Sequence, residues 1–143
     1  MVTRERRTEV ELLLARVDAW AARRPDVVAV ALVGSWARGG PRMSSDVDLV
    51  VLTTDKEAYL RDESWMEELG GTRIIRTQDW GPLYTERRFV LSSGLEVEFG
   101  VAPPSWAATA PPDPNLSADV GNGGLHALYD PEGILAHLVQ AFS

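Results

Sequence analysis

The sequence predicts a mixed α/β (α+β) fold, one β-sheet with strands in both directions and helices packed against it. Three observations predict it. Helical and strand-like patterns alternate along the first half of the chain. The run Val27-Val28-Ala29-Val30-Ala31-Leu32-Val33 is apolar throughout, as in a strand covered on both faces. Two later strand-like runs, Tyr84 to Leu91 and Leu95 to Ala102, are joined by Ser92-Ser93-Gly94, a hairpin signal.

Taken in order, residues Thr3 to Arg24 form the first helix. Val10, Leu13, Leu14, Val17 and Trp20 recur on one helical face. Thr3 or a Thr8–Glu11 capping box starts the helix, and Pro25 ends it. The buried strand over 27–33 then stops at Gly34-Ser35, where a short helix through Arg38 is expected. Gly39 to Ser45 is loop. Asp46 to Leu52 is a second strand, and Thr54-x-x-Glu57 caps a helix running to about Leu69, closed by Gly70-Gly71. Thr72 to Thr77 is a third strand. The hairpin follows and Pro103-Pro104 ends it. Ala107 to Gly124, rich in Pro and Gly, is loop or short helix, and Glu132 to Phe142 is a terminal helix after Pro131.

The chain has 143 residues, one domain's length, so residues 1–143 are read as a single domain. It has no cysteine, which excludes disulfides, thiolate metal sites and a cysteine nucleophile. Its net charge of -7 disfavours non-specific nucleic acid and anionic membranes as partners. No segment reaches the ~20 apolar residues of a membrane helix, and Met1 to Glu11 is charged with no apolar run of a secretory signal. A cytoplasmic location is therefore expected.

The chemistry concentrates between Gly34 and Leu49. Side chains alternate along a strand, so Asp46 and Asp48 share one face while Val47 and Leu49 turn to the core. Two adjacent carboxylates repel each other, and a divalent cation relieves that; Mg²⁺ is held by one or two carboxylates together with substrate phosphates. Gly34 permits close backbone approach to a ligand, and amides at the start of a helix at Ser35 favour an anion. Donors for phosphate beside ligands for a metal suit phosphoryl or nucleotidyl transfer. A third carboxylate is expected from Leu95-Glu96-Val97-Glu98-Phe99, which offers Glu96 and Glu98 on one face. Of the adjacent Arg87 and Arg88 only one can face the site, and Arg88 is preferred. Arg38 is a phosphate candidate, its alternative an exposed helix arginine. Trp36 is read as a core or edge anchor, with stacking on a base or acceptor as the alternative. His126 and His137 are assigned to surface or core.

Gly34-Ser35, then Asp46-Val47-Asp48-Leu49, then Val97-Glu98-Phe99 resembles the nucleotidyltransferase superfamily typified by DNA polymerase beta. Gly34 to Gly39 with Ser45 to Leu49 looks most like its small bacterial branch, the minimal and the aminoglycoside-type nucleotidyltransferases. The resemblance covers about residues 27–102. It implies that Asp46, Asp48 and Glu98 are catalytic, that Asp46 and Asp48 hold Mg²⁺ or Mn²⁺ with Glu98 either completing the metal site or acting as general base on the acceptor hydroxyl, and that Gly34, Ser35, Arg38 and Ser45 bind the nucleotide. The implied reaction is attack of an acceptor hydroxyl on the α-phosphate of a nucleoside triphosphate, with ATP the expected donor and pyrophosphate released. Antibiotic-modifying members generally carry an added helical domain, whereas 45 residues follow Glu98 here. That points to a homodimer, a small helical partner protein or a different acceptor. The resemblance also implies an alternative, an antitoxin-type module binding a helical ribonuclease toxin through the first helix, where Leu12, Leu13 and Leu14 adjoin.

Overall fold

The computed structural model describes residues 2–108, 120 and 122–142. Six strands form one sheet: β1 (Val27–Val33), β2 (Val47–Thr53), β3 (Gly71–Asp79), β4 (Thr85–Leu91), β5 (Glu96–Ala102) and β6 (Leu125–Tyr129). Their spatial order is β3-β4-β5-β2-β1-β6. β2 and β5 run parallel and every other pair is antiparallel, so the sheet is mixed as expected.

The helices are α1 (Arg4–Ala22), α2 (Ser35–Arg38), α3 (Lys56–Arg61), α4 (Ser64–Glu68) and α5 (Ile134–Phe142), with a 3-10 turn over Pro104–Ala107. Strand alternation divides the apolar residues into two cores. On one side Val10, Leu13, Val17 and Trp20 of α1 pack with Val47, Leu49 and Val51 of β2 and with Phe89, Val97 and Phe99. Aromatic rings knit this layer, with Trp65 stacked on Phe99 at 4.3 Å between centroids. On the other side Leu135 and Leu138 of α5 cover Ala29, Ala31, Val50, Leu52 and Ala102. β1 is buried from both sides, the reason its sequence is apolar throughout.

Several expectations are corrected. Of the two possible starts of α1, the structure uses Thr3, whose hydroxyl accepts from the Arg6 N–H at 3.1 Å. The Thr54–Glu57 capping box does not form, because Asp55 is the N-cap and makes no side-chain capping bond. The single helix expected to run to Leu69 is two. Asp62 is extended, its carboxylate accepts from the Ser64 N–H and hydroxyl, and its carbonyl accepts from the Trp65 indole. That break restarts the helix with Trp65 in the core. The terminal helix begins at Ile134 rather than Glu132, because the Asp130 carboxylate accepts from the Leu135 and Ala136 N–H groups.

β6 is an addition. Leu125-His126-Ala127-Leu128-Tyr129 alternates poorly, and it is a strand because β1 offers it an edge. Most of the loop expected over Ala107 to Gly124 lies outside the described residues. Among the described residues no helix is long and apolar enough to cross a membrane.

Candidate active site

The sheet brings Val33, Asp48, Glu98, Arg88 and Arg76 into one transverse row across β1, β2, β5, β4 and β3, each the register partner of the next. Asp48 faces away from the α1 core because Val47 and Leu49 face into it. The same alternation puts Glu96 and Glu98 beside it while Val97 and Phe99 are buried. Parallel pairing of β2 with β5 decides between the two glutamates as Asp48's neighbour. Asp48 opposes Glu98 in register, which sets their carboxyls side by side on one face. Glu96 lies one pair further along, toward Asp46.

The Gly34-Ser35 turn abuts this row. Gly34 has φ 77 and ψ −157 as the N-cap of α2. A Cβ there would collide with the Asp48 carboxylate, so the position tolerates only glycine on both counts. The Ala37 and Arg38 amides bond back to the Gly34 carbonyl at 3.1 Å, which closes the short helical turn. Ser35 is half-buried and Arg38 is exposed. Ser45 holds the preceding loop, its hydroxyl accepting from the Arg42 N–H at 2.8 Å. Trp36 packs against the α1 core. His126 and His137 are exposed, on β6 and α5.

Arg88 faces the site and Arg87 does not. The Arg87 guanidinium is buried on the α1 side, donating to the Tyr59 and Leu60 carbonyls. Arg88 lies among four carboxylates. Its Nε donates to Glu86 at 3.1 Å, its Nη1 to Asp46 at 2.5 Å and Glu96 at 3.4 Å, and its Nη2 is 3.8 Å from Glu98.

Glu86 is the residue that motif reading passes over. Its side chain is 1% exposed. Arg76 donates to it from two nitrogens at 3.0 and 2.8 Å, and Trp80 donates from its indole at 3.0 Å. The signal was present: Glu86 stands two residues before Arg88, so alternation puts both on one face.

The electrostatics follow from this crowding. Burial pushes the Glu98 carboxyl up to about 8, helped by the neighbouring Asp48 carboxyl. Asp48 is also raised, chiefly by burial and then by Asp46, against an opposing contribution from Glu98. Both shifts run toward the protonated form, so the pair holds a proton more readily than a lone carboxylate. Burial works upward on Glu86 too, but hydrogen bonds from Arg76, Trp80 and Arg88 outweigh it and hold Glu86 down at about 2. Arg88 is raised further above its ordinary value, its carboxylate partners outweighing the cost of burial.

The donor set around Asp48 is oxygen only, with carboxylates in excess over guanidinium groups. That suits a hard divalent cation. Among the described residues no three Asp, Glu, His or Cys side chains are grouped to hold a metal as they stand. Asp46 is the arm turned aside, bonded to Arg88. A separate groove of about 800 Å³ lies on the α1 side, lined in part by Leu12, Leu13, Leu69 and Leu91, away from the acidic row.

Residues 16–83 match the family described as polymerase beta, nucleotidyltransferase. No curated protein sequence matches the chain. Among solved structures it is similar to a cytoplasmic RNA terminal U-transferase, with a TM-score of 0.56 and 17% identity over 85% of this chain and 34% of that one. It is similar to the poly(U) polymerase Cid1, with a TM-score of 0.55 and 16% identity over 85% of this chain and 35% of that one. It is also similar to a CCA-adding enzyme from Thermotoga maritima, with a TM-score of 0.52 and 15% identity over 96% of this chain and 32% of that one. These likenesses are of fold, and the chain spans about a third of each of those structures. The matched segment, just under half of the chain, runs from α1 through the Gly34-Ser35 turn and the two aspartates to the approach to β4, and the mixed sheet around it is consistent with the polymerase beta-like nucleotidyltransferase fold.

Proposed function

We propose that the chain transfers a nucleoside monophosphate from a nucleoside triphosphate to an acceptor hydroxyl, releasing pyrophosphate, with Mg²⁺ or Mn²⁺ as cofactor. The observation that carries this reading is the placement of Asp48 against both Glu98 and the Gly34 turn. Candidate ligands for a cation and candidate donors for a phosphate thus meet at one strand end.

Asp46, Asp48 and Glu98 would hold the cation, which supplies positive charge to the phosphates as negative charge builds on the leaving group. Asp46 would exchange Arg88 for that role, and the Asp48–Glu98 pair would ligate in its ionised form. The Gly34 turn approaches the triphosphate without a side chain in the way, and Ser35 offers a hydroxyl to it. Arg38 and Ser45 stand on the two sides of the loop that follows α2. The acceptor oxygen forms its bond to the α-phosphorus as the bond to the bridging oxygen breaks. Its proton passes to a general base, a role open to Glu98 as the alternative to holding the cation.

The antitoxin-type reading has less to rest on. Leu13 is buried and Leu14 half-buried, so of the three adjoining leucines only Leu12, 64% exposed, is presented outward. Calorimetric titration with Mg²⁺ and each nucleoside triphosphate tests the proposal. Binding that is lost in Asp46→Asn and Asp48→Asn supports it. Absence of binding by any triphosphate overturns it.

A further inference from the structure

Arg88 is fixed at one end and exchangeable at the other. Its Nε is held by Glu86, which is buried and itself held by Arg76 and Trp80. The guanidinium therefore has a fixed place over the acidic row. Its Nη1 points outward to Asp46 and Glu96, both more exposed than Glu86. Asp46 precedes β2, so its backbone lies outside the strand ladder that holds Asp48 and Glu98.

We propose that Arg88 is a positioning residue that competes with the metal for Asp46, an internal counter-ion that releases the Asp46 carboxylate when a divalent cation enters. The proposal rests on the reading of Asp46, Asp48 and Glu98 as metal ligands. Its physical basis is a simple exchange. In the metal-free chain, the Asp46 carboxylate is neutralised by a charge-assisted bond to Arg88. A cation binding to Asp46 must replace that bond, so the bond weakens cation affinity. A structural staple would behave differently, because its removal would loosen the site and weaken cation binding.

The test counts bound Mn²⁺, added alone, from the paramagnetic resonance signal of the free ion. It uses the full chain, Arg88→Gln, Asp46→Asn and the double variant. Arg88→Gln is expected to bind Mn²⁺ roughly three- to tenfold more tightly, the factor a charge-assisted hydrogen bond can supply. In the Asp46→Asn background the same substitution is expected to change affinity by less than about twofold, because the carboxylate in dispute is gone. Should Arg88→Gln fail to fold with four carboxylates around it, Arg88→Lys is read in its place. It keeps the charge but cannot hold Glu86 and Asp46 together, so tightening in the same direction is expected. Unchanged or weaker binding in these variants overturns the proposal and leaves the metal-site reading standing. Equal tightening with and without Asp46 also overturns it, since that is the effect of net charge alone. If neither the wild-type chain nor any variant binds Mn²⁺, both the proposal and the metal-site reading fail.

Discussion

Asp48 is fixed by three neighbours at once: Val33 in register on β1, Glu98 in register on β5, and the Gly34 backbone against its carboxylate. Asp48→Asn is expected to lower nucleotidyl transfer by about 10²–10³-fold or more while far-ultraviolet circular dichroism stays unchanged. Pyrophosphate release measures the first. Gly34 carries a different expectation. A side chain there must adopt a positive φ and also displace the Asp48 carboxylate, so Gly34→Ala is expected to cost about 1–3 kcal/mol, read in urea denaturation, as well as activity. Asp48 and the glycine were legible because each constraint on them is local: alternation along β2 for Asp48, a strand end for Gly34; Asp46, expected inside the strand, instead precedes it and turns to Arg88. The partner of Asp48 was not legible. Leu95-Glu96-Val97 and Val97-Glu98-Phe99 are equivalent as patterns, and only the β2–β5 register separates them.

Among the elements, β4 does the most to organise the site. Thr85, Glu86 and Arg87 are buried, an unusual content for a strand. Glu86 and Arg88 serve the acidic face while Arg87 ties α3 to the sheet from the opposite side. Replacing Glu86 with Gln leaves Arg76 and Arg88 each short of an ionised partner. The expected loss is about 1–3 kcal/mol by urea denaturation. Helix boundaries were the least legible elements. The break at Asp62 and the delayed start of α5 both come from one aspartate each, Asp62 and Asp130, bonding to amides ahead of it. Asp130→Ala is expected to cost about 0.5–2 kcal/mol through loss of that cap, measurable as a lower Tm.

For the molecule as a whole, the acidic row makes stability depend on pH and on metal together. Glu98 is raised from an ordinary value of 4.5 to about 8, so its contribution is fully present below about 4.5 and is lost as pH rises through 8. Glu86 acts in the opposite sense: held down at about 2, it contributes above about 4.5 and loses that contribution as pH falls through 2. The metal-free chain is therefore expected to have a lower Tm at pH 8 than at pH 5 in the presence of a chelator. Glu98→Gln is expected to flatten that difference. Mg²⁺ is expected to raise Tm at pH 8 by mass action, since it replaces the proton the pair then lacks. A Tm that rises between pH 5 and 8 in the chelated protein, or is insensitive to Glu98→Gln, would contradict this account.

The sequence by itself determined the mixed sheet, the doubly buried β1, the hairpin of β4 and β5, the Gly34 turn and the face that Asp48 presents. Those follow from periodicity, turn chemistry and spacing, all of which act over a few residues. The tertiary structure decided what depends on pairing between distant strands. It set Glu98 rather than Glu96 opposite Asp48, brought Arg88, Glu86 and Arg76 onto the acidic face, and made a strand of Leu125–Tyr129. Register is a property of two strands and their shared core, so neither strand's sequence carries it alone.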